Sequence, residues 1–109
     1  LSSGELACLN AGTGQKVWQT NTVTGLKSGA SIHLTPCGED VFLFTDRGDL
    51  IRAQLTPKGY HEISRAHLLE PTSPFGGRKC AWAPPAYANR HVFARSDEEL
   101  VCASLAIKP

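Results

Sequence analysis

Asp49-Leu50-Ile51-Arg52-Ala53-Gln54-Leu55 returns fifty positions later as Glu99-Leu100-Val101-Cys102-Ala103-Ser104-Leu105. Both leucines and the alanine are identical, and Asp/Glu and Ile/Val are close substitutions. Upstream, Val41-Phe42 is answered by Val92-Phe93, each a few residues after a polar turn, Gly38-Glu39-Asp40 in one case and Asn89-Arg90-His91 in the other. A third copy opens the chain, with Gly4-Glu5-Leu6-Ala7-Cys8 set against Gly48-Asp49-Leu50-Ile51-Arg52. Such a period constrains the fold more than composition does, because each repeat is one supersecondary unit that buries its apolar faces only against neighbouring units.

The units are made of strands. Apolar runs are short and separated by turn residues, which is the all-β pattern. The reading places strands at Leu6 to Leu9 and Lys16 to Thr20, a Gly/Ser-rich link at Gly25 to Gly29, and a short strand at Ser31 to Leu34. A turn from Pro36 to Asp40 precedes Val41-Phe42-Leu43-Phe44, a run without alternation whose two faces are both expected to be buried between neighbouring sheets. Asp46 to Asp49 turns into Leu50 to Leu55, and Pro57-Lys58-Gly59 turns into a more polar strand from Tyr60 to Leu69. Pro71 to Arg78 is expected to be an extra loop that lengthens the second period. The spacing corresponds to about four strands per unit.

Gly4-Glu5-Leu6-Ala7-Cys8-Leu9-Asn10-Ala11-Gly12-Thr13-Gly14-Gln15-Lys16-Val17-Trp18 resembles the repeat of pyrroloquinoline-quinone-type, or quinoprotein-like, β-propellers. In those repeats a Gly-x-Leu strand leads to a Thr-Gly turn and a tryptophan four residues on. The repeat motif here is Gly4, Leu6, Leu9, Thr13, Gly14 and Trp18. Gly14 suits the positive φ of the turn, Thr13 can bond local backbone, and Trp18 offers a flat face to an adjacent blade. The segment from Phe44 to Leu105 is more loosely similar to large bacterial propellers of this kind. The later copies depart from the motif: neither Tyr60-His61-Glu62-Ile63 nor the chain end supplies the tryptophan, and Trp82 is expected in the first strand of its unit.

The resemblance implies an all-β partial propeller of about two to two and a half four-stranded antiparallel blades. Residues 1–24 would be the outer strands of one blade, 30–70 a complete blade, and 80–107 the first three strands of a further one. It also implies a bacterial, periplasmic or otherwise extracytoplasmic setting, since many such proteins reside there, and the function expected is that of a non-catalytic binding or scaffold module. A wheel takes 4–8 blades, so the expected partners are another protein, the rest of the parent propeller, or a second chain joined through edge strands. The start at Leu1, without methionine and directly on a hairpin motif, reads as a fragment boundary.

Little points to catalysis. Gly12-Thr13-Gly14-Gln15-Lys16 lacks the third glycine of a dinucleotide fingerprint and the ending of a phosphate-binding loop, and it leads into a strand instead of a helix. Arg47-Gly48-Asp49 spells an adhesion tripeptide, but Asp46 to Asp49 is also what a strand-joining turn requires. His33, His61, His67 and His91 show no metal-ligand spacing, and Cys8, Cys37, Cys80 and Cys102 match no zinc template. Cys8 and Cys102 are expected as small buried residues within strands. No Gly-x-Ser-x-Gly is present. Asp40, Asp46, Asp49 and Asp97 read as turn residues.

The alternative function is a fragment of a quinone-dependent dehydrogenase. That family would bring a calcium-binding set, a catalytic aspartate and adjacent cysteines; no two cysteines here are adjacent, so these residues would lie outside the segment. No catalytic, cofactor-binding or metal residue is therefore assigned, and no cofactor is expected. Arg52 is the one binding oddity, because it stands where the other copies carry cysteine, so it is expected either to reach a rim or pair with an acid, or to lay its stem along apolar surface with its head in water. The formal net charge of +1 gives no electrostatic footprint for nucleic acid. No apolar run is long enough for a membrane span.

Overall fold

The computed structural model describes residues 4–24, 30–75 and 77–105. Eleven strands are present among them and no helix: β1 (Leu6–Leu9), β2 (Lys16–Thr20), β3 (Ile32–Cys37), β4 (Asp40–Thr45), β5 (Asp49–Thr56), β6 (Gly59–His67), β7 (Ser73–Phe75), β8 (Arg78–Cys80), β9 (Ala86–Ala88), β10 (His91–Arg95) and β11 (Leu100–Ser104). They form four separate antiparallel sheets, none of them closed: β1-β2, β3-β4-β5-β6, β7-β8 and β9-β10-β11. The all-β class read from the sequence is the class observed. Among the described residues no helix is long and apolar enough to cross a membrane.

The four-stranded meander is the centre of the molecule. β4 is apolar at successive positions, so alternation sends Val41 and Leu43 to one face and Phe42 and Phe44 to the other. Leu43 joins Val23, Ile51 and Ala53, with Leu6 of β1 packed against them. Phe44 joins Leu50, Leu69, Ala81, Val92 and Ala94, the last two on β10. The sheet is therefore covered by β1-β2 on one side and by β9-β10-β11 on the other, as the unbroken apolar run requires. Full burial of a Leu, Ile or Phe side chain contributes roughly 1.5–3 kcal/mol, so β4 and β5 carry most of the core. Polar β6 closes one edge of this sheet, its exposed charges discouraging further pairing.

The repeat copies occupy equivalent places. Leu6 of β1 packs on the central sheet, and Leu50 of β5 packs toward β10. Leu100 of β11 points the same way, away from the central sheet, because its neighbours Val101 and Ala103 face that sheet. Leu6 and Leu50 thus each pack against a sheet later in the chain, Leu6 on the central sheet and Leu50, past the intervening β7-β8 hairpin in sequence, on β9-β10-β11. For Leu100 no later sheet lies among the described residues.

Several expectations are corrected. β3 continues through Pro36 to Cys37, leaving a two-residue turn at Gly38-Glu39. β3 is an edge strand, where proline's missing N–H leaves no ladder bond unmade. The supposed loop from Pro71 to Arg78 holds most of the hairpin β7-β8. Trp82 lies before β9 and not in the first strand of its sheet. Cys102 is exposed, since alternation along β11 turns Val101 and Ala103 inward; Cys8 is half-buried and Cys80 is the buried thiol, pushed up by that burial. All four thiols are free.

Candidate functional site

The motif residues fall on the first hairpin and its contact with the central sheet. Gly14 has φ 76° and its N–H donates to Asn10 O at 2.7 Å, while Thr13 Oγ1 accepts from Gln15 N at 3.2 Å. Gly4 is buried, Leu6 is half-buried, and Leu9 is exposed. Trp18 is half-buried, and its Nε1 donates to Thr56 O at the end of β5, 2.6 Å away. The indole therefore ties β1-β2 to the central sheet. Arg65 of β6 adds a second tie by donating to Thr22 O at 2.9 Å.

Arg52 is exposed and pairs with an acid: Nε donates to Asp40 Oδ2 at 2.7 Å, and Gln54 donates to the other carboxylate oxygen at 3.1 Å. These two donors hold the Asp40 carboxyl below its ordinary range. The aspartates read as turn residues do more than shape turns. Asp49 accepts from Arg65 and His67, and Asp97 accepts from Ser73 at 2.7 Å. Asp46 sits in the β4–β5 turn, but its side chain is 1% exposed and takes bonds from Thr24 (2.9 Å) and Arg78 (2.7 Å). The Arg47-Gly48-Asp49 string is folded into this same corner, with Gly48 buried and Asp49 engaged, so only Arg47 projects freely.

One cleft of mixed chemistry, about 250 Å³ in volume, lies between the central sheet and β9-β10-β11. Its floor is the stacked pair Phe42 and Tyr87, with ring centroids 5.5 Å apart and planes 19° from parallel. Its mouth is formed by Cys37 from the β3–β4 hairpin and by Asn89, Arg90 and His91 from the β9–β10 hairpin. Asn89 and Arg90 have φ of 54° and 62°, the mirror-image turn that a two-residue hairpin favours, held here without glycine. Arg90 O accepts from Leu105 N at 2.7 Å, which fixes the turn to the end of β11.

His91 Nδ1 lies 2.7 Å from Asn89 O. A carbonyl only accepts, so Nδ1 carries the proton and the neutral ring keeps its lone pair at Nε2. Burial pushes the Tyr87 phenol up, with Thr35 beside it offsetting part of the rise, and the buried oxygen makes no hydrogen bond of full geometry. The cleft therefore offers an aromatic floor, with a guanidinium and a thiol at the mouth. That set suits binding. Among the described residues no group of three or more His, Cys, Asp or Glu side chains could hold a metal ion.

Sequence reasoning singled out none of the residues of this cleft as a site. Its signals were the polar turn Asn89-Arg90-His91 and the isolated Tyr87, and both become meaningful only when the two sheets stack. No protein-family model, no curated protein and no solved structure matches this chain.

Proposed function

We propose that this chain is a segment of a β-propeller of the quinoprotein-like type, serving as a non-catalytic binding or scaffold module. On this reading residues 1–24, 30–70 and 80–107 belong to three successive blades, about two to two and a half in all. The observation that carries it is the common placement of the repeat copies, in which Leu6 packs on the central sheet, Leu50 packs toward β10, and Leu100 likewise faces away from the sheet before it. Sheets stacked face to face in one rotational sense are how a wheel is built.

Binding would fall to the inter-sheet cleft at Cys37 and Arg90, and the partner would be another protein or the remainder of the wheel. An extracytoplasmic setting follows from the family resemblance. Titration calorimetry with pyrroloquinoline quinone and calcium is the test of the non-catalytic reading. No heat of binding is expected, and micromolar affinity would replace it with the dehydrogenase reading.

A further inference from the structure

We propose that the cleft between the central sheet and β9-β10-β11 docks a segment of a partner protein that carries an aromatic side chain beside a carboxylate. The proposal rests on the reading of this cleft as a protein-binding site and names the chemistry of the partner. Both walls are internal to the chain: Thr35 to Cys37 and Phe42 stand on one side, Tyr87 to His91 on the other. Charge selects the sign of the occupant. Arg90 brings the one permanent charge to the lining, and its exposed guanidinium meets no acid among the described residues. A guanidinium grips a carboxylate through paired N–H donors.

The backbone adds a second observation. Asn89-Arg90 is the counterpart of Gly38-Glu39 in the central sheet, where Gly38 has φ 61° and Glu39 keeps a negative one. In the β9–β10 turn Arg90 itself takes φ 62°, a conformation that glycine adopts more readily than arginine. Strain of this kind gathers where a side chain is needed at a fixed place. Volume then sets the size of the occupant. About 250 Å³ lies below the range of drug-sized ligand pockets but admits one ring against the stacked Phe42 and Tyr87. Tyr87 and Arg90 stand three positions apart at one end of the same hairpin, so the ring and the acid belong on adjacent residues of the partner.

Titrating the nitrogen-15-labelled chain with the end-blocked dipeptides Asp-Phe and Phe-Asp, followed by amide shifts, tests this. At least one of them should move the signals of Ala88, Asn89 and Arg90 and leave those of Leu6 to Leu9 in place. Replacing its acid by Asn, or its ring by Ala, should each weaken binding about tenfold. Phenylacetate, a ring and an acid without a peptide, should bind more weakly than the dipeptide. Arg90→Gly suits the φ of the turn and so keeps the fold, yet it should erase the preference for acid over amide. A chain ending at Leu105 should bind as the full chain does. Equal binding of the amide overturns the proposal, as does an acid preference that survives Arg90→Gly. Phenylacetate binding as tightly as the dipeptide assigns the cleft to a small aromatic acid instead. Binding that appears only without residues 106–109 assigns it to the end of this chain. No binding of any probe also overturns the proposal, and leaves the propeller reading to the quinone titration.

Discussion

At Gly48 the backbone adopts φ 85°, and a Cβ built there would stand 2.1 Å from Leu69 O. The close approach is imposed by the bond from Leu68 N to Gly48 O, 2.9 Å, which fastens the end of β6 to the β4–β5 turn. Gly14 also has positive φ, 76°, but nothing lies within 4 Å of its would-be Cβ. Gly14→Ala should cost about 1 kcal/mol of conformational strain. Gly48→Ala should cost about 3 kcal/mol, because backbone must move as well. Urea unfolding of the two variants checks the contrast, and equal losses would show that the Leu69 approach relaxes freely. The turn at Gly48 was legible in the sequence. Its contact with Leu69, twenty-one positions on, was not, since no local pattern specifies which carbonyl passes over a turn.

Among the elements, the short hairpin β7-β8 is held to the central sheet by charge. Arg78 on β8 donates to Asp46 in the β4–β5 turn, and Asp46 O accepts from Ala81 N at 2.6 Å. Thr24, just after β2, meets the same carboxylate. Three sheets are therefore joined at one buried acid. Removing one member of a buried pair strands the other without compensation, so Arg78→Met should cost about 3 kcal/mol. Asp46→Asn placed on top of it should recover part of the loss, because a neutral amide is cheaper to keep buried. Additive losses in chemical denaturation would contradict this account. The hairpin was read as a loop from its proline and glycine content; its two three-residue strands are too short to show alternation, and tertiary contacts sustain them.

For the whole molecule, stability should depend on pH through His67. Its ring lies between Asp49 (2.7 Å) and Glu70 (2.9 Å), and these bonds raise its pKa above the ordinary histidine value. A group whose folded pKa is raised contributes fully below its unfolded value, about 6.5, and loses that contribution as pH climbs through the folded value. The thermal midpoint should thus fall as pH rises from about 6 through the raised folded-state value of His67. His67→Gln should flatten that slope while leaving the alkaline midpoint nearly unchanged. The ring is half exposed, so added salt should weaken the effect. A slope identical in wild type and variant would assign the dependence elsewhere.

Sequence alone determined the strand class, the repeat copies and the two-sided burial of Val41 to Phe44, because alternation and its absence are local properties of a chain one strand wide. It also singled out Arg52 as a charge within an apolar strand pattern, with an acid partner or a head in water as the alternatives. Tertiary structure decided which acid that partner is, Asp40, across the β4–β5 ladder. It decided that Asp46 is a buried junction and not a solvated turn residue. It also created the cleft, because Cys37, Tyr87 and Arg90 lie on two different sheets and meet only when those sheets stack. Strand character follows from neighbours a few residues apart, whereas sites and junctions depend on where whole sheets come to rest against one another.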